Sequence, residues 1–425
     1  MTVLVFFQCI SSASASSMRA LRNSAVILPS PGSTNDLAIF PDAEEQAGSK
    51  LFLIMSSPMK KKVSYTMMGS SLSEKGRVRP LIDSGLSAPY GIAYDSDRSV
   101  LYVTDLGHKH IARYQIKVLA CAAASKGEKR DQRCPREDPP QYMPIVDGLP
   151  VLIAVDVSSK WITTDSSGSV YYTEDHSVNR IDSVVIDRLV DEELKASELQ
   201  QMSQQELEAD AAVDKALNKP ASSQVQLSII ATLYADGGDP NVAVPAGIAV
   251  DGDRLFWTNS ADGHSKGSVA EGLTLPKAST AVQTNAVVSN TDSAYGIVKT
   301  FDSIIFSDAS HNVFRVAEGG HNLTTLSDEF DFPRGLAWDG DGTVFVADQG
   351  ADAVFSLPAG HTHNKVSAKR TLVVEFIQPF GLAVVRGSDP IFDSLHSGVL
   401  PRGTGLLIRW ATAAMVTWWA AADIK

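Results

Sequence analysis

Four of the nine histidines stand shortly after the end of an apolar, β-type run that closes on an acid or amide. LYVTD (101–105) precedes His108, VYYTED (170–175) precedes His176, LFWTN (255–259) precedes His264, and IIFSD (304–308) precedes His311. Imidazoles at one repeat-equivalent place, each near a carboxylate or amide, could supply a ring of transition-metal ligands. The repetition also argues against that chemistry. Turns of successive repeats point in different directions, so ligands spread over them do not converge, and we expect no metal site there. The pair His361 and His363 is loop-like and lacks partners at ligand spacing. No G-x-S-x-G, H-E-x-x-H or Gly-rich phosphate loop occurs. The strand-ending Asp residues recur with the repeat, so none is set apart as an acid–base pair. We assign no catalytic residue, no metal ligand and no cofactor.

What positions these residues is a repeat, P-x-G-φ-A-x-D with φ apolar. It reads PYGIAYD (89–95), PVLIAVD (150–156), PAGIAVD (245–251) and PRGLAWD (333–339), with weaker copies AYGIVKT (294–300) and PFGLAVV (379–385). A degenerate copy, NDLAIFPD, lies at 35–42. The glycine place falls at 36, 91, 152, 247, 296, 335 and 381. The shorter spacings match the period of propeller blades, about 40–50 residues. After each copy come a polar turn, a second strand ending in Thr-Asp or its like, a third such as HIARYQI or NVFRVA, and a fourth such as NAVVS or TLVVEF. Four short antiparallel strands per repeat make a blade. The expected fold is an all-β propeller over residues 34–395. Six blades are expected, with seven kept open, and N- and C-terminal strands sharing one blade would close the ring.

Two insertions widen the spacing, at about 117–142 and 182–224. The second is rich in helix formers, with apolar positions Ile186, Val190, Leu194, Met202 and Leu217. Ser203 to Glu206 reads as a capping box that starts a second helix. Between 187 and 215 lie nine acids and three bases. That is either a solvated helical excursion or a partner-docking element.

LYVTDLGHKHIARY resembles the NHL-type propeller repeat, and RLFWTNS with GIAVDGD resembles the YWTD repeat of lipoprotein-receptor propellers. The resemblance covers most of the chain and is specific for architecture. It implies protein binding, RNA binding or metal-dependent lactonase and related chemistry, since one fold hosts many functions. In gluconolactonase-like members, metal ligands include the residue before the repeat glycine. Here that place holds Asn35, Tyr90, Val151, Ala246, Tyr295, Arg334 and Phe380. Only Asn35 suits a hard cation, and calcium wants several oxygens with carboxylates among them. The resemblance therefore carries no lactonase metal site into this chain. These places should ring one mouth of the central channel. Tyr90, Tyr295, Arg334 and Phe380 are residue types that anchor binding hot spots. They either bind a partner or plug the channel.

The chain has 425 residues, a formal net charge of −12 and 20% charged residues. Diffuse acidity disfavours nucleic acid, and the one basic run, Lys60 to Lys62, reads as a solvated turn. Residues 1–17 carry an apolar stretch with Cys9 and a small-residue A-x-A pattern, like a secretory leader without its basic start. Cys121 and Cys134 remain, either as a disulfide closing a short loop or as two free cytosolic thiols. Asn322-Leu323-Thr324 is a glycosylation sequon. The apolar run 405–422 within the tail 404–425 is either a membrane contact or a buried closing segment. We expect a non-catalytic scaffold that binds a protein or peptide ligand, in the secretory pathway or outside the cell, with the cytoplasm as the other setting. The alternative is a metal-dependent lactonase- or strictosidine-synthase-like enzyme, and only that reading involves calcium.

Overall fold

A computed structural model describes residues 51–68, 76–121, 133–135, 142–207, 230–277, 283–320, 322–359 and 368–386, with backbone alone at 120 and 197–207. The leader at 1–17, the copy at 35–42 with Asn35, His361 and His363, Leu217 and the tail at 404–425 lie outside these residues.

The described chain is a ring of six antiparallel blades. Their innermost strands are Pro89–Asp95, Trp161–Thr164, Pro245–Asp251, Ala294–Lys299, Pro333–Trp338 and Leu382–Arg386, in blades one to six. Blade six closes the ring: Leu382–Arg386 pairs with Leu51–Ser57, which continues through Lys62–Met68 to Val78–Ile82. Leu51 faces Arg386 and Met55 faces Leu382. This shared blade satisfies the two ends that an open ring would expose. It also settles the blade number at six.

Apolar side chains gather into one cluster for each blade junction. Phe256 and Val269 of blade three pack with Ile304 and Phe306 of blade four. Phe52, Ile54 and Tyr65 of blade six pack with Leu101 and Val103 of blade one. The second strand of each blade is sandwiched on both faces, which is why Val100–Asp105 and Ser303–Asp308 are buried at every position. Burying a Phe side chain such as Phe256 or Phe306 contributes about 1.5–3 kcal/mol.

The repeat copy at 150–156 is not an inner strand. Val151–Val155 pairs with His110–Ala120 and adds a fifth strand to the outside of blade one. The inner strand of blade two is Trp161–Thr164, paired with Val170–Glu174. The stretch at 150–156 has the apolar pattern of an inner strand, but Leu152 stands at the glycine place, and Leu152 is 43% exposed on the outer strand.

The first insertion prolongs the third strand of blade one. Residues Ile116 to Ala120 pair with Tyr142–Val146, and a disulfide joins Cys121 to Cys134. Around it Leu119, Met143 and Ile145 form a small cluster, and Met143 also packs against the core between blades six and one. The described part of the second insertion is the helix Ser183–Leu207. Asp182 caps it, with its carboxylate accepting the Val184 N–H at 3.0 Å. Ile186 is buried between blades one and two, with Leu189 and Val190 against it. The apolar stripe ends there, and Leu194 is 56% exposed. The helix runs unbroken through Ser203, so Ser203 to Glu206 starts no second helix. A capping box needs a break before it, and the helix formers preceding Ser203 supply none.

Candidate binding site at the channel mouth

Inner strands of neighbouring blades meet at the glycine of the repeat. A Cβ on Gly247, Gly296 or Gly335 would land on the carbonyl oxygen of Tyr295, Arg334 or Phe380 in the next blade. Glycine is required there by close backbone approach. The residue before each glycine is thereby fixed on the rim of one channel mouth. In ring order these residues are Tyr90, Lys160, Ala246, Tyr295, Arg334 and Phe380. The second place belongs to Lys160, not Val151, which lies on the outer strand of blade one.

A hydroxyl from the second strand ties down four of these six carbonyls, those of Tyr90, Ala246, Tyr295 and Arg334. Thr173 donates to Ala246 O at 2.6 Å and Ser307 to Arg334 O at 3.0 Å. Thr258 donates to Tyr295 O, and Ser56 to Tyr90 O across the closing junction. The same Ser56 and Ser307 hydroxyls accept the N–H of Gly381 and Gly296. Blade five has Ala347 at the hydroxyl place, and there the Gly335 N–H bonds directly to Phe380 O at 3.0 Å. In blade one the equivalent Thr104 instead bonds Gly91 of its own inner strand, accepting its N–H at 2.9 Å.

The mouth is a cavity of about 340 Å³ lined by these rim residues together with Trp161, Glu174, Asp175 and Gln349. On one side Phe380 packs against Tyr90 and Trp161, with ring centroids 4.8 and 4.7 Å away. Trp161 takes the glycine place of blade two. It lines both the mouth and the narrower channel below, so its indole forms part of the floor. On the other side the Arg334 guanidinium lies 3.8 Å from the Tyr295 centroid and 3.7 Å from that of Phe332. Burial pulls the Arg334 pKa down, opposed in part by a hydrogen bond to Tyr295. Lys160 stands 5.8 Å from the Tyr90 centroid. Glu174 is engaged by the Ser158 N–H at 2.9 Å. Two cations on an aromatic rim oppose a hard divalent cation, which the carboxylates of Glu174 and Asp175 would otherwise attract.

The histidines do not converge on one centre. His108 bonds Asp105 at 2.9 Å, His176 bonds Asp236 at 2.6 Å, and His264 bonds Asp292 at 3.0 Å. His311 sits in a turn with φ 70°. Asp105, His108 and His110 do bring ligand-type atoms within 4.8 Å of one another. That carboxylate is already committed. It accepts the N–H groups of Ser87 and Ala88 at 2.7 Å, of Gly107 at 3.1 Å and of His108 at 3.4 Å. Burial pushes the Asp105 pKa up, but these hydrogen bonds and that of His108 hold it below its ordinary value. Asp348 does the same work in blade five, accepting the N–H of Asp331 at 3.0 Å and of Phe332 at 2.8 Å. Asp105 and Asp348 therefore anchor the loop that leads into the inner strand, whereas Asp308 holds the turn after its own strand, accepting the N–H of Ser310 at 2.9 Å and of Asn312 at 3.2 Å.

Lys160 and Trp161 escaped the sequence reading because SKWITTD has no glycine. Its signal was Asp165, which accepts the N–H of Ser169 at 3.0 Å as Asp339 accepts that of Thr343 at 3.0 Å. Asn322 is exposed at a turn with φ 60°.

No family model matches the chain, and no curated protein matches it. Among solved structures, a chain of the nidogen/laminin complex aligns with TM-score 0.46 and 13% identity, over 79% of this chain and 98% of that one. A virginiamycin B lyase from Staphylococcus aureus with quinupristin aligns with TM-score 0.42 and 13% identity, over 80% and 89%. A gluconolactonase from Xanthomonas campestris aligns with TM-score 0.39 and 13% identity, over 68% and 77%. The six-bladed architecture rests on the strand pairing of this chain.

Proposed function

We propose that this propeller is a non-catalytic recognition scaffold that binds a protein or peptide segment at the channel mouth. Tyr90, Tyr295, Arg334 and Phe380 serve as anchors, joined by Lys160 and Trp161. The observation that carries this reading is the Arg334 guanidinium packed against Tyr295 and Phe332 on a cavity that Tyr90, Phe380 and Trp161 also wall. Rigid aromatics and Arg give large contact area at small entropic cost. The Cys121–Cys134 bridge supports an oxidising compartment, as the sequon at Asn322 does.

Selection from a random peptide library on the full chain tests this. Enriched peptides should bind wild type and lose at least tenfold in affinity on Tyr90→Ala and Phe380→Ala proteins with unchanged circular dichroism. An empty selection, or peptides indifferent to both variants, would overturn the proposal.

A further inference from the structure

The mouth holds two cations and no ion pair that uses them. Arg98, Arg180, Arg315 and Arg370 hold Asp95, Asp182, Asp302 and Asp348 at 3.1, 2.8, 3.0 and 2.9 Å. Among the described residues no carboxylate comes within ion-pair distance of Arg334 or Lys160, although Glu174 and Asp175 line the same cavity. The Arg334 Nε is buried and has no hydrogen-bond partner. A guanidinium taken out of water without an anion is costly, and aromatic faces compensate only part of that cost. This is an unusual arrangement in a chain of net charge −12, where acids are abundant.

Packing against two rings also orients the group. Tyr295 and Phe332, with centroids 6.4 Å apart, both lie against the guanidinium, and its buried Nε–H remains without a partner. A planar fork held in this way suits a carboxylate and loses little freedom on binding it. Ring order sets the register of a ligand. Lys160 and Arg334 are three blades apart, on opposite sides of the mouth, with the Tyr90–Phe380–Trp161 wall on one flank. Glu174 ends a strand of blade two and Asp175 follows it, on the Lys160 side. Their charge repels an anion there and leaves Arg334 as the favoured end.

Resting on the mouth-binding reading above, we propose that the bound segment presents a carboxylate edge-on to Arg334, with a neighbouring apolar side chain seated on Trp161 and Phe380. The carboxylate is either an Asp or Glu side chain or the free C-terminus of the ligand.

The test uses peptides selected on the full chain, each then remade three ways: every acid changed to its amide, the C-terminus amidated, and the adjacent apolar residue changed to Ala. These changes lie in the ligand, so they leave the folding of the protein untouched. One acid at a fixed place, or the C-terminus, should prove essential. Its neutralisation should weaken binding to wild type about tenfold or more, have little further effect on Arg334→Gln protein, and have an intermediate effect on Arg334→Lys protein. Loss from the amidated C-terminus alone identifies a terminal carboxylate, and loss from an internal amide identifies a side chain. Peptides that depend on Tyr90 and Phe380 but tolerate every neutralisation would overturn this inference while the mouth-binding reading stands. A selection that yields no peptide overturns both.

Discussion

Ser307 holds Arg334 in place: its hydroxyl donates to the Arg334 carbonyl at 3.0 Å while accepting the Gly296 N–H, also at 3.0 Å. One side chain thus links the second strand of blade four, its own inner strand and the rim residue of blade five. Ser307→Ala leaves a buried N–H and a carbonyl short of one partner, a loss of about 1–2 kcal/mol. Ala347 at the equivalent place in blade five shows that a junction survives without the hydroxyl. We therefore expect a folded protein with a lower urea midpoint and an unchanged urea slope. A midpoint equal to wild type would refute the role given to the hydroxyl.

Trp161 stands where five blades carry glycine, and its indole meets Phe380 at 4.7 Å. Trp161→Ala removes that contact and opens the floor of the mouth. The aromatic pair itself is worth about 0.5–1.5 kcal/mol, so the melting temperature should fall modestly. Affinity for mouth-selected peptides should fall by tenfold or more, because the anchor wall loses its centre. A large thermal loss with unchanged peptide affinity would make Trp161 a channel plug and nothing more.

The repeat glycines and the strand-ending acids made the architecture readable, because close backbone approach and loop anchoring demand particular residue types in blade after blade. Blade two was misplaced for the same reason. Trp161 breaks the glycine rule where the channel is floored, while 150–156 imitates the inner strand in apolar pattern alone. The anchors Tyr90, Tyr295, Arg334 and Phe380 could be placed on one rim by position in the repeat. Phe332 stands two residues before Arg334 and could be placed beside it by local spacing, but nothing local indicates that Ile186 wedges a helix between two blades. That depends on packing between segments that the repeat alone does not relate.

The Cys121–Cys134 bridge lies on a hairpin that extends beyond the ring, in a small cluster with Leu119, Met143 and Ile145. Constraint of the unfolded chain by a loop of this size is worth about 3 kcal/mol if the whole molecule unfolds as one unit. Ile116 and Val118 of this hairpin belong to the core between blades six and one, with Tyr142, Met143 and Val146 against it, so only the tip around the bridge is free to open by itself. Cys121→Ser with Cys134→Ser should speed amide hydrogen exchange at residues 119–121 and 133–134 and leave exchange at 51–57 and 382–386 unchanged. Equal acceleration at both places would show that the tip is part of the global unit.

Two buried acids should respond to pH with opposite sign. The Asp105 carboxyl is pushed up by burial but held below its ordinary value by the Ser87, Ala88 and His108 hydrogen bonds. A depressed native pKa means the unfolded chain binds the proton more readily. The stability Asp105 contributes is therefore full above the unfolded value of about 3.9 and is lost as pH falls through the lower native one. The Asp308 carboxyl is raised by burial, which outweighs the N–H groups of Asn312 and Ser310. Its native state binds the proton more readily, so this group favours folding more as pH falls through its raised native pKa. Urea unfolding from pH 7 down to pH 3 separates the two. Asp105→Asn should lower the midpoint at pH 7 and flatten the acid-side loss, since the charge that accepted the loop N–H groups is gone. Asp308→Asn should cost less at pH 7, because a neutral amide avoids the buried charge, and should steepen the net acid-side loss by removing the one term that opposes it. Parallel pH profiles for the two variants would show that these acids do not anchor their loops through charge.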